Sequence, residues 1–68
     1  MEMIDVSSSN IAQVGYEDGT LAILFHRGGL YHYSEVPEEV FDGLVNASSV
    51  GRYFIDHVKD VYAYTKEG

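Results

Sequence analysis

Arg27-Gly28-Gly29-Leu30-Tyr31-His32-Tyr33 is the stretch that decides the fold of this 68-residue chain. Residues two apart on a strand share a face, so Tyr31 and Tyr33 point the same way. The glycine pair ahead of them supplies a tight turn, and the segment reads as the far arm of a hairpin. Upstream, Glu17-Asp18-Gly19-Thr20 carries the Asp-Gly signal for a two-residue hairpin turn. Ile11 to Tyr16 is then the first strand, Leu21 to His26 the second and Leu30 to Tyr33 the third.

Register follows from the turns. With Asp18-Gly19 as the first turn, Tyr16 faces Leu21, Val14 faces Ile23 and Ala12 faces Phe25. A three-residue turn at Arg27-Gly28-Gly29 pairs Phe25 with Tyr31 and Ile23 with Tyr33. Side chains alternate with period two, so all of these share one continuous, mostly apolar face. The other face holds Gln13, Gly15, Ala22, Leu24, His26, Leu30 and His32. Leu24 and Leu30 there call for cover from the N-terminal segment or a second subunit.

Beyond Tyr33 the period changes. Val36-Pro37-Glu38-Glu39 starts a helix, because proline is tolerated at the first helical position and acids favour the positive end of the helix dipole. Val40, Phe41, Leu44 and Val45 form its apolar face. Asn46-Ala47-Ser48-Ser49 ends it, and Ser48 or Ser49 caps a second helix running to about Val58. That helix buries Val50, Phe54 and Val58, with Tyr53 alongside. Val61 to Thr65, containing Tyr62-Ala63-Tyr64, is a last short strand at a sheet edge. The expected fold is α+β: a three-stranded antiparallel sheet followed by two short helices and a short C-terminal strand. It is one domain over residues 1–68, with residues 1–9 a less ordered N-terminal segment.

Composition narrows the function. A chain this short buries only about 60% of its unfolded surface, which leaves a small core. It has no cysteine, so neither a disulfide nor a thiolate-held zinc can staple it. Self-association is a common remedy. Met1 to Val6 is too short and too acidic for a signal peptide, and no apolar run reaches membrane-span length. The expectation is a cytoplasmic protein that does not engage membranes. Eleven acids against four bases give a net charge of −7. That balance opposes general affinity for a phosphate backbone, although aromatic rings still suit unstacked bases.

The ordered set Ser8-Ser9-Asn10-Ile11, Val14-Gly15-Tyr16, Gly28-Gly29-Leu30-Tyr31-His32-Tyr33, Val36-Pro37-Glu38-Glu39-Val40 and Ser49-Val50-Gly51-Arg52-Tyr53-Phe54 resembles the KTSC domain, known from the C-terminus of some lysyl-tRNA synthetases. With Tyr62-Ala63-Tyr64 the resemblance spans nearly the whole chain. It implies a single small domain that also occurs alone in bacteria and phages, and it suggests RNA binding. Members are typically polar and basic after the Tyr-Phe pair. Here Ile55-Asp56-His57-Val58-Lys59-Asp60 puts two acids in that stretch.

Six residues stand out as ligand or RNA-binding candidates. Tyr31 and Tyr33 suit base stacking, while the register favours packing beneath the helices with hydroxyls at the rim. Tyr62 and Tyr64 carry the same alternatives at a more exposed edge. Ser49 and Arg52 open the second helix, where backbone N–H groups and a guanidinium suit an anion. The bland alternative is a capped helix with Arg52 paired to a carboxylate. Ser8-Ser9-Asn10 reads as a run whose side chains bond the backbone. His26, His32 and His57 lack metal-ligand spacing, so neither a metal nor a cofactor is expected. No nucleophile motif organises a Ser, His and Asp, so no catalytic residue is assigned and the chain is not expected to be an enzyme. The composition favours a binding module for a protein partner or for a second copy of itself. RNA or nucleotide binding is the alternative that the family resemblance brings.

Overall fold

A computed structural model describes residues 1–67. Its elements run β1 (Met3–Asp5), β2 (Ile11–Glu17), β3 (Thr20–Phe25), β4 (Leu30–Tyr33), α1 (Glu38–Asn46), α2 (Val50–His57) and β5 (Tyr64–Glu67). The strands form one antiparallel sheet in the order β1-β2-β3-β4-β5. The two helices cover one face and return the chain to the free edge of β4. The class is α+β as the sequence implies, but the sheet has five strands where three and a C-terminal edge strand are expected. The additional strand is β1; the expected terminal strand is β5, paired with β4. Backbone pairing holds β1, and a three-residue run carries too little periodicity to announce itself.

The predicted faces hold while the pairing shifts. Tyr16 faces Leu21 and Val14 faces Ile23 as expected. An irregularity at Ala12 then puts Ile11, not Ala12, opposite Phe25. A bulge here lets the fully buried Ile11 replace a small residue over the core. Between β3 and β4 the register is two residues away from the expected one: Ile23 faces Tyr31 and Leu21 faces Tyr33. The glycine turn causes this. Gly28 and Gly29 both take φ of +94°, Gly28 N–H donates to the Phe25 carbonyl at 2.9 Å, and Phe25 N–H donates to the Gly29 carbonyl at 3.3 Å. Gly29 thus occupies the place opposite Phe25. A shift of two keeps every side chain on its face, whereas a shift of one would have turned both tyrosines outward.

The core lies between the sheet and the helices. Val14, Leu21, Ile23 and Tyr33 meet Val36, Leu44, Val50, Phe54 and Val58 there. The Tyr16 hydroxyl donates to the Val36 carbonyl, and its ring stacks on Phe41 of α1 at 5.4 Å between centroids. Pro37 stands one place earlier than expected, as the residue preceding α1, with Glu38 and Glu39 in the first turn. Ser49 caps α2, its Oγ accepting from Arg52 N–H at 3.2 Å. The last strand starts later than expected. Val61 and Tyr62 N–H both donate to the Val58 carbonyl, which keeps those residues in a turn after α2. No described helix is long and apolar enough to cross a membrane.

The N-terminal segment closes the other face in part. Met3 pairs with Gly15 in the sheet, and Ala22, the β3 partner of Gly15, is fully buried. Leu24 and Leu30 face each other and are half-buried. A Cβ on Gly15 would lie 2.6 Å from Met3 Sδ and 2.9 Å from the Glu2 carbonyl oxygen. The sulfur can swing away, but the carbonyl moves only if β1 moves. Gly15→Ala is therefore expected to lower the unfolding free energy by about 1–3 kcal/mol, the range for overpacking. Urea denaturation measures it, and a midpoint equal to that of the unaltered chain would disprove the close approach.

Candidate functional site

Five aromatic residues from β3, β4, α2 and β5 converge on one cleft of about 710 Å³. Phe25, Tyr31, Tyr33, Phe54 and Tyr64 form a continuous set of rings along it. Phe54 meets Phe25 and Tyr33 edge-on, each at 5.6 Å between centroids. Tyr64 tilts against Tyr31 at 5.3 Å and Tyr33 at 5.4 Å. Asn10 and Ile11 at the start of β2, the Arg27-Gly28 turn, Gly51 and Ile55 of α2, and Lys59-Asp60 complete the lining.

The rings differ in what they offer a ligand. Tyr33 is 5% exposed and makes the floor. Burial pushes its phenol up to about 12 from an ordinary 10, with smaller contributions from Tyr64, Tyr31 and Asp60. Tyr31 is half-buried, and Tyr64 is 57% exposed. These two present ring surface to the opening. Lys66 Nζ lies 5.9 Å from the Tyr31 ring centroid, within cation–π range.

A second groove of about 510 Å³ adjoins the first and shares Asn10, Gly51 and Ile55 with it. Ser7, Ser8, Ser9, Ser48, Ser49 and Arg52 give it a polar lining. Much of that polarity is engaged within the fold. Ser8 Oγ accepts from the backbone N–H of Asn10 and Ile11, each at 3.3 Å. Ser49 Oγ serves the α2 cap, and Arg52 Nε bonds the Asp56 carboxylate at 3.2 Å.

The six sequence candidates thus separate. Tyr31, Tyr33 and Tyr64 come together in the aromatic cleft. Ser49 and Arg52 lie in the polar groove. Tyr62 packs half-buried against the core and lines neither. The sequence places Phe25 and Phe54 in the core and does not single out Arg27, Lys59 or Lys66 as site residues. Phe25 shares a strand face with the tyrosine pair, which was a usable signal. The meeting of Arg27, Lys59 and Lys66 was not, because they sit in a turn, after a helix and on an edge strand. Of the four basic residues, Arg27 and Lys59 line the cleft, Arg52 lines the polar groove, and Lys66 stands over the Tyr31 ring. Among the described residues no three His, Cys, Asp or Glu gather as metal ligands.

Comparison with known proteins agrees with this geometry at the level of fold. Residues 7–62 match the KTSC domain family. A crystal structure of a KTSC domain protein from Yersinia pestis superposes with a TM-score of 0.92 at 36% identity, covering 98% of this chain and 97% of that one. A Tsukamurella paurometabola protein is 46% identical over 59 residues, 84% of this chain and 88% of its own length. An uncharacterised protein of Stutzerimonas stutzeri is 39% identical over 56 residues, 79% of each chain.

The raised Tyr33 phenol gives a pH signature. The unfolded chain loses this proton near pH 10, while the folded chain keeps it to about pH 12. Its contribution to stability is complete below pH 10 and disappears as pH rises to about 12. Tyr33→Phe should flatten the alkaline part of the stability profile in that window. An unchanged profile, read by denaturation at stepped pH, would show that Tyr33 titrates like an exposed phenol.

Proposed function

The chain belongs to the KTSC domain family, and we propose that it is a non-enzymatic binding module whose aromatic cleft takes single-stranded RNA or a nucleotide. One observation carries this reading: in a chain of net charge −7, three of the four basic residues line the joined grooves and the fourth, Lys66, stands over the Tyr31 ring, beside a wall of five aromatic rings. Tyr31 and Tyr64 supply faces for stacking, and a stacked base contributes roughly 1–3 kcal/mol. Arg27, Lys59 and Lys66 supply cations for the backbone phosphates. The acidity that opposed RNA at the level of composition acts weakly over distance, because exposed charges are screened beyond about 8 Å at physiological ionic strength. The charges next to the ligand decide, and those are mainly basic. A cytoplasmic setting goes with an RNA partner.

Exposed apolar side chains support a second reading. Ile55 and Tyr64 at the cleft are 53% and 57% exposed, and Val61 is 59% exposed. Such a rim also fits a protein partner or a second copy of the chain. In that case sedimentation should show mass rising with concentration, and Ile55→Lys should hold the protein monomeric. A monomer at every concentration removes self-association.

RNA binding is tested by titrating the protein with short unstructured single-stranded RNA across a salt series. Three phosphate contacts predict a slope of log affinity against log salt of about −2. Tyr64→Ala should weaken binding about tenfold or more, and its exposed position leaves the core intact. Absence of binding at low salt, where the electrostatic part is strongest, would sink the RNA reading.

A further inference from the structure

Asp60 is out of place in a cleft that gathers cations. It lines the aromatic cleft, and its charge reaches the Tyr33 phenol. Among the described residues its carboxylate takes part in neither ion pair. The turn that presents it is firmly built. Lys59 N–H donates to the Phe54 carbonyl at 2.9 Å, and Val61 N–H donates to the Val58 carbonyl at 3.1 Å. Asp60 sits in that turn with φ of +64°, a conformation that aspartate and asparagine tolerate better than most residues. The backbone alone would accept asparagine or glycine equally well. The carboxylate is what the position adds.

A carboxylate facing the Watson–Crick edge of a stacked base has four acceptor lone pairs and no donor. Guanine presents two adjacent donors there, N1–H and the N2 amino group. Uracil offers a single N3–H between two carbonyls. Adenine and cytosine each place one amino group beside a ring-nitrogen acceptor, which repels the second carboxylate oxygen. Unstacked bases expose this edge to proteins. Resting on the nucleotide reading above, we infer that Asp60 makes the cleft selective for guanine, its two oxygens accepting N1–H and N2–H of a base stacked on Tyr31 or Tyr64. Selectivity comes in part from repulsion, because on the other three bases the second carboxylate oxygen meets a carbonyl or ring-nitrogen lone pair.

The test titrates the protein with the 5′-monophosphates of guanosine, inosine, adenosine, cytidine and uridine, and repeats the series with Asp60→Asn. Guanosine monophosphate should bind about tenfold tighter than the adenosine, cytidine and uridine forms, as one bidentate pair implies. Inosine monophosphate, which keeps N1–H and lacks the N2 amino group, should fall between. Asp60→Asn keeps the backbone conformation and removes one negative charge. It should weaken the guanosine form while leaving the other three unchanged or tighter. Equal binding of all five nucleotides overturns the inference and leaves the nucleotide reading standing. So does a uniform gain in Asp60→Asn, because it would show Asp60 acting only as a charge. Failure of every nucleotide to bind overturns the inference and the nucleotide reading together.

Discussion

Phe54 is the joint on which the rest of this structure depends. Its ring reaches β3 through Phe25 and β4 through Tyr33, edge-on in both cases. Edge-to-face pairs contribute about 0.5–1.5 kcal/mol beyond their burial. An eight-residue helix such as α2 has little stability of its own in water. It persists because Ser49 caps its start, Phe54 pins its middle and the fully buried Val58 anchors its end. The same joint builds the cleft. With α2 docked, Gly51 and Ile55 become one wall, and the turn behind it presents Lys59 and Asp60 before delivering the chain to β5. β5 then supplies Tyr64 as the facing wall, held by its pairing with β4 and by its ring contacts.

Charge is partitioned by this arrangement rather than spread. A net value of −7 describes the chain as seen from far away, and it governs solubility and long-range steering. A ligand within a few ångströms of Tyr31 meets a different field, set by Arg27, Lys59 and Lys66 against Asp60. Arg52 contributes less, since it is 76% exposed and paired with Asp56. The cleft therefore joins modest local attraction with a large apolar and aromatic surface. On the proposed reading, stacking on the rings supplies most of the affinity and the phosphates orient the ligand.

Much of the fold is legible in the sequence because its signals are local. Asp18-Gly19 fixes the first hairpin, the change of period after Val36 announces the helices, and Ser49 caps α2 as its position implies. What escapes local reading has specific causes. β1 is a three-residue edge strand defined by hydrogen bonds to its neighbour, and β5, expected from Val61, starts only at Tyr64 and is exposed along its whole length. The bulge at Ala12 answers to a core that prefers isoleucine over alanine. The site is less legible than the fold. Tyr31 and Tyr33 share a face by period alone, yet their roles diverge because two residues of strand is about 6.6 Å. That distance puts Tyr33 beneath Phe54 and leaves Tyr31 beside the opening. The cations beside the rings come from three separate elements, and only the folded chain assembles them.

The departures from the family pattern acquire a different meaning in this light. A likeness of TM-score 0.92 at 36% identity fixes the architecture, while recognition resides in particular side chains placed on it. The segment after Phe54 carries two acids where relatives are expected to be basic, and composition reads both as opposed to RNA. In the structure the two occupy different places. Asp56 lies one helical turn from Arg52 and neutralises it at the surface. Asp60 lies past the helix end, exposed along the lining of the aromatic cleft, in a turn that the backbone hydrogen bonds of Lys59 and Val61 fix. An acid at the surface only subtracts from attraction. An acid facing a stacking surface subtracts unequally among ligands, because it rewards adjacent donors and penalises acceptors. The same residue type that lowers general affinity is thereby able to raise discrimination, and the position of the carboxylate relative to the rings decides which effect a ligand feels.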